Sequence, residues 1–168
     1  MVTYYLLFVM ELATRRAHFA GTTANPDESW VFQIARNLSD AEQGFLRSKK
    51  YLLMDRDTKF SEAFRLTLEQ ASMEAVRLPA LSPNLNPSIE RFMLSAKNEC
   101  LHRLIFFWER TVQTAIVAFL VHYHQERNHQ GLDNGLIELG EEVDRTSGEV
   151  VCREPLGGML RYYYPKVA

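Results

Sequence analysis

The sequence is poor in several things whose absence narrows the reading. Only two cysteines occur in 168 residues, Cys100 and Cys152, and neither sits in a C-x-x-C pair. A disulfide framework and a zinc knuckle are therefore poor readings, and a reducing cytoplasm is the expected setting. Charge of one sign is missing too: 19 Lys+Arg against 21 Asp+Glu leave a net −2. Composition thus supplies no electrostatic footprint for nucleic acid, and any such partner must be argued from local features. The apolar opening from Tyr4 to Met10 is too short to span a bilayer and is closed by Glu11, Arg15 and Arg16, so no membrane association is expected. Internal repeats and low-complexity tracts are absent as well. What is present is 46% hydrophobic side chains, enough at this length to pack one domain with a small appendage.

Aromatic and aliphatic residues up to Met10 suit a buried strand, and Arg16 to Thr22 a second one, the two forming a hairpin around Ala13–Arg15. Asn25-Pro26-Asp27-Glu28 offers an N-cap, a proline at the first helical position and first-turn acids. Trp30, Val31, Ile34 and Leu38 follow at helical spacing and predict a helix to about Phe45. Tyr51-Leu52-Leu53-Met54 reads as a central strand ending on Asp55. Beyond it come a helix over Ser61 to Ala71, a short strand over Glu74 to Leu78 and a Pro/Ser/Asn loop from Pro79 to Pro87. Two helices are predicted from Ser88 to about Phe107 and from Arg110 to about Arg127, the latter with Ile116, Phe119, Leu120 and Tyr123 as its apolar stripe. After Asn128 the tail has no clear period, although Gly148 to Arg153 and Met159 to Tyr164 can pair as strands. Alternating strands and helices imply α/β.

Two acids carry the chemistry. Asp55 closes the central strand, and Glu90 lies in the first turn of a later helix, with 34 residues between them. Each has an ordinary explanation when taken alone. Asp55 could cap the turn that follows, Asp57 could be an Asx-turn residue, and Glu90 could simply complement the helix dipole, worth about 0.3–1 kcal/mol. Together they can converge at one edge of a sheet and hold Mg²⁺ or Mn²⁺, which favour hard oxygen ligands. Two such ions about 3.5–4 Å apart activate an attacking oxygen and stabilise a leaving one in phosphoryl displacement. Asp57 is read as shaping the loop. His122, His124 and His129 with Cys100 suggest zinc less well, since His122 and His124 face different ways on a helix. Arg91, Lys97 and Arg103 spread over a broad helical sector, and Tyr162-Tyr163-Tyr164 reads more readily as strand packing than as a base-stacking run.

At these residues the chain resembles the DDE-type integrase catalytic core of bacterial insertion-sequence transposases, related to retroviral integrases. The likeness spans roughly residues 1 to 140 and rests on several separate pieces. They are the hairpin Phe8 to Gly21 with Thr14-Arg15-Arg16, the box Asp55 to Phe60, the loop Ser82-Pro83-Asn84-Leu85-Asn86 and Glu90-Arg91-Phe92. To these are added Lys97-Asn98-Glu99-Cys100-Leu101 and Tyr123-His124-Gln125-Glu126-Arg127-Asn128-His129-Gln130-Gly131-Leu132. The resemblance implies a ribonuclease H-like mixed sheet flanked by helices, in a core over 1–132 followed by a tail over 133–168. It implies Asp55 and Glu90 as catalytic metal ligands for a two-ion Mg²⁺ or Mn²⁺ site. It also makes Lys97, seven residues after Glu90 and so on nearly the same helical face, a contact to the DNA end, with Arg91 as a second DNA-binding candidate. The implied reaction is metal-assisted attack by water and then by a freed 3′-hydroxyl on target DNA.

Departures from the family pattern shape the expectation as much as the matches. The family's first aspartate lies on an opening strand, and here that strand and its ligand are expected ahead of Met1, leaving a metal site incomplete in this chain. Glu11 falls one strand too late to stand in. Leu94 occupies a place that is usually polar or basic, and Leu81 and Pro87 make the preceding loop less polar. The expected function is DNA integration or transposition with impaired catalysis. One alternative is an inactive fragment that binds DNA or the full-length transposase and interferes with it; another is a nuclease of the same fold. DNA, a further copy of the chain or a full-length transposase are the expected partners, at the bacterial nucleoid in the cytoplasm.

Overall fold

The computed structural model describes residues 2–79, 87–139 and 148–166. Its strands are β1 (Tyr5–Met10), β2 (Ala17–Thr23), β3 (Tyr51–Met54), β4 (Glu74–Arg77), β5 (Glu149–Arg153) and β6 (Tyr162–Lys166). The helices are α1 (Glu28–Leu38), α2 (Glu62–Gln70), α3 (Pro87–Glu99) and α4 (Glu109–Gln125). The order is α/β, as the sequence predicts. The described strands pair two by two, β1 with β2, β3 with β4 and β5 with β6, rather than in one sheet. The chain divides into two compact units, one comprising Met1–Phe8 and Ala20–Pro87, the other Val9–Phe19 and Ser88–Ala168.

In the first unit β3 and β4 run parallel, with Tyr51 opposite Glu74 and Met54 opposite Arg77. Parallel neighbours need a long crossover, and α2 supplies it. Ser61 caps α2 by accepting from the Phe64 N–H, which places Phe64 and Leu68 one turn apart on the buried face. Helix α1 packs on α2 and buries Val31, Ile34, Ala35 and Leu38. Gly21 on β2 permits the close approach of α1, since a β-carbon there would meet Ile34 Cδ1 at 2.9 Å. The cap of α1 is Asp27, whose Oδ1 accepts from the Trp30 N–H at 2.8 Å. Asn25 instead closes a turn with Thr23, so the helix starts later than the proline suggests. It also stops at Leu38, short of Phe45. Ser39 Oγ donates to the Ala35 carbonyl, and the Asp40 carboxylate accepts from the Glu42 and Gln43 N–H groups, offering the backbone an alternative to another helical turn.

Pro87 opens α3, where its missing N–H costs nothing, and from Ser88 on the helix belongs to the second unit. Phe92 and Ala96 are its buried residues and meet the buried stripe of α4, which is Val112, Ala115, Ile116, Phe119 and Tyr123. Phe92 lies edge-on to Tyr123 at 5.0 Å and tilted to Phe119 at 6.1 Å. Helix α3 ends at Glu99 rather than near Phe107. The Cys100 backbone leaves the helical region there and its thiol donates to the Ala115 carbonyl; burial pushes that thiol up to about 11, so it is an inert core group. β5 and β6 form the expected terminal hairpin, with Glu149 opposite Lys166 and Arg153 opposite Tyr162. The turn before β6 is longer than anticipated because Leu156, Gly157 and Gly158 all take left-handed conformations, so that strand starts at Tyr162. Among the described residues no helix is long and apolar enough to cross a membrane.

Candidate functional site

Asp55 follows the last residue of β3 and is exposed. The ladder continues past it through the Leu78 N–H, which donates to the Met54 carbonyl, so the carboxylate stands at the C-terminal edge of a parallel pair. Ligand sites of α/β sheets lie at such edges. Asp55 Oδ1 accepts from the Asp57 N–H at 3.0 Å. Asp57 in turn accepts from the Lys59 backbone and from its ammonium. The backbone N–H of Lys59, and then its side chain, hold the Asp57 carboxyl below the usual range, so Asp57 organises the loop as the sequence suggests. Arg56 donates to the Leu78 carbonyl at 2.9 Å and Arg77 to the Phe60 carbonyl at 3.1 Å. These two bonds pin the Asp55–Phe60 segment to the strand beside it.

Glu90, Arg91, Leu94 and Lys97 are all exposed on α3. At about 100° per residue, Glu90 and Lys97 project within roughly 20° of one another, on the side away from Phe92 and Ala96. Leu94 shares that face and is 60% exposed, an apolar group between the two charged ones. The structure thus groups Glu90 with Lys97 and Leu94, and sets Arg91 on the flank. Asp55 belongs to the first compact unit, and Glu90, Arg91 and Lys97 to the second. Among the described residues no group of three or more His, Cys, Asp or Glu side chains is placed to hold one metal ion. The loop Ser82 to Asn86 and Leu81 lie outside the described residues.

Other residues of the motif segments have structural partners in the second unit. Glu99 pairs with Arg127 at 2.6 Å. His124 is buried, and its Nε2 accepts from the Ala17 N–H at 3.1 Å. Arg16 pairs with Glu138 at 2.6 Å, whose own N–H donates to the His124 carbonyl. The Arg15 guanidinium lies against Gly131, where any β-carbon would collide with it. His129 donates from Nε2 to the Tyr123 carbonyl at 2.7 Å. Thr14-Arg15-Arg16 and the Tyr123–Leu132 stretch are therefore two halves of one clasp. Sequence reasoning missed this, because nothing local links residue 17 to residue 124. It also missed Glu126, whose buried carboxylate accepts from Arg153 and from His122 Nδ1; only the i, i+4 spacing of His122 and Glu126 was visible. Burial depresses the affinity of His122 for a proton, and a neutral imidazole still donates to Glu126 from Nδ1.

Residues 71–135 match the family model described as the integrase core domain. The match spans β4, α3 and α4, so it includes Glu90, Arg91 and Lys97 and leaves Asp55 outside. No curated protein matches the chain. Over that stretch the match supports the integrase catalytic core expected from the motifs.

Proposed function

We propose, with an integrase core over residues 71–135 as the premise, that this chain is built for metal-dependent DNA strand transfer of the transposase type. The observation that carries the reading is the solvent face of α3, which lies inside the matched stretch and presents Glu90 beside Lys97 opposite the packed Phe92 and Ala96. In this reading residues 1–132 are a ribonuclease H-like core and 133–168 its tail. Asp55 and Glu90 are the carboxylates, and Lys97 with Arg91 meet DNA phosphates. Exposed carboxylate oxygens are the donor set that suits Mg²⁺ or Mn²⁺. Such ions, when bound, polarise the scissile phosphate and ease deprotonation of the attacking hydroxyl. The residues' own part is to orient that site on the strand edge and the helix and to fix the DNA end by its backbone.

The experiment is a joining assay with Mn²⁺, using labelled donor ends and a plasmid target, on the chain alone and with residues added upstream. Joined product that disappears in Glu90→Gln and Asp55→Asn supports the proposal. Nicking without joining makes the chain a nuclease. Ends bound by a chain that neither nicks nor joins, even when extended, leave a DNA-binding partner and sink the catalytic reading. Loss of binding as salt rises, with a slope set by the number of phosphates contacted, tests the roles of Lys97 and Arg91.

A further inference from the structure

A cavity lies between the segment that follows α4 and the terminal strand β6, and none of the residues proposed for strand transfer lines it. It has a volume of about 360 Å³, and Asn128, Asn134, Leu139, Tyr162, Tyr164 and Glu126 are among its lining. That volume falls in the usual range for small-ligand pockets, about 300–1,000 Å³. Tyr162 and Tyr164 are two apart on β6 and so share one face of the strand; their rings stack at 5.7 Å with planes 17° apart. Leu139 is 79% exposed. Glu126 is already held by Arg153 and His122, so it does not present a free negative charge. The Asn128 and Asn134 side-chain amides have no hydrogen-bond partner among the described residues.

Apolar rings and a leucine with unpartnered amides alongside suit a flat heteroaromatic group with a polar edge. Every nucleobase offers a face for an aromatic ring to stack on. An asparagine amide presents a donor next to an acceptor, which is complementary to adenine N7 and N6–H. We infer that this bay takes one unstacked nucleobase of a DNA single strand, adenine in preference to thymine. The inference rests on the DNA-acting reading only for the source of the base. Basic residues of the hairpin are matched by acids, Arg161 with Glu154, Arg153 with Glu126 and Lys166 across the ladder from Glu149. Binding here therefore depends on the ring more than on phosphates and falls only gently with salt.

The test uses the full chain and a short single strand carrying the fluorescent base 8-vinyladenine, which keeps N7 and the 6-amino group, at one position. Binding is expected to change its fluorescence. A strand with an abasic site at that position should bind about tenfold more weakly, consistent with the loss of one base–aromatic stack. Tyr164→Leu should weaken binding by a similar factor, and Asn134→Ala should erase the preference for adenine over thymine. Glu90→Gln should leave base binding untouched, so failure of strand transfer and failure of this site are separate results. Equal affinity for the abasic strand overturns the inference without recourse to any variant. So does parental affinity in a folded Tyr164→Leu chain.

Discussion

The solvent face of α3 and the segment from His122 to His129 contain the same kinds of side chain and use them in opposite ways. In the segment, Glu126, Arg127, His122, His124 and His129 each have a partner within the protein, and the buried ones are satisfied, as burial requires. On α3, Glu90, Arg91 and Lys97 face solvent and add little to the packing of their own unit. Polar residues that hold the fold together are used up by doing so. Those left exposed on a rigid, well-packed helix are available for a ligand. Both segments fall within the matched stretch, so membership in a motif does not by itself separate a clasp from a site.

The contrast can be broken most violently from within the packed layer that supports both regions. Phe92→Ala removes a fully buried ring that touches Phe119 and Tyr123 and is expected to cost about 3–5 kcal/mol in denaturant unfolding; a loss below about 1 kcal/mol would show that the α3–α4 packing described is wrong. Glu126→Gln, measured the same way, should cost about 1–3 kcal/mol, because it strips a buried acceptor of its charge and disturbs its two partners.

A smaller effect comes from pH. His122, His124 and His129 are all held below the ordinary imidazole value, burial being the leading cause in each. In the unfolded chain they take up protons near about 6.5, and in the folded chain only at lower pH. Their contribution is therefore intact above that value and lost as pH falls below it, where the unfolded state binds more protons. A protonated His124 also cannot accept from Ala17. The melting temperature should drop between pH 7 and pH 5, and His124→Gln should flatten that drop; a stability that rises on acidification over this range contradicts the assignment. At the bottom of the scale, Glu90→Gln and Lys97→Ala should leave stability within about 0.5 kcal/mol of the parent, while the first removes joining and the second weakens end binding. Destabilisation of 2 kcal/mol or more by either would move the α3 face into the structural class and erase the contrast.

Much of this was readable from the chain. The strand Tyr51–Met54, the helix beginning after Ser61 and the stripe of α4 follow from periodicity and capping, which are local. Asp55, Glu90 and Lys97 are exposed, and the helical spacing of the last two was visible in advance. Failures came where side chains compete with the backbone over a few atoms. Ser39 and Asp40 stopped α1 within what looked like a continuing pattern, and the Cys100 backbone stopped α3. Longer-range failures have a different cause. The Ala17–His124 bond and the Arg153–Glu126 pair join residues 107 and 27 positions apart, and a single sequence carries no periodic trace of such partners. The parallel pairing of β3 with β4 was illegible for the same reason, whereas the two hairpins, each closed by a local turn, were anticipated.

The clasp also has a place in time. Its hairpin half is made 107 residues before its other half, which at about 5–20 residues per second is a wait of roughly 5–20 s on the ribosome. During that interval the Arg15 and Arg16 guanidinium groups and the Ala17 N–H lack the partners that Gly131, Glu138 and His124 later bring, and the tip of the hairpin stays open to other partners. This end of the molecule is thus completed only after that wait, and a nascent chain stalled before Tyr123 should expose the hairpin to proteases that the finished protein resists.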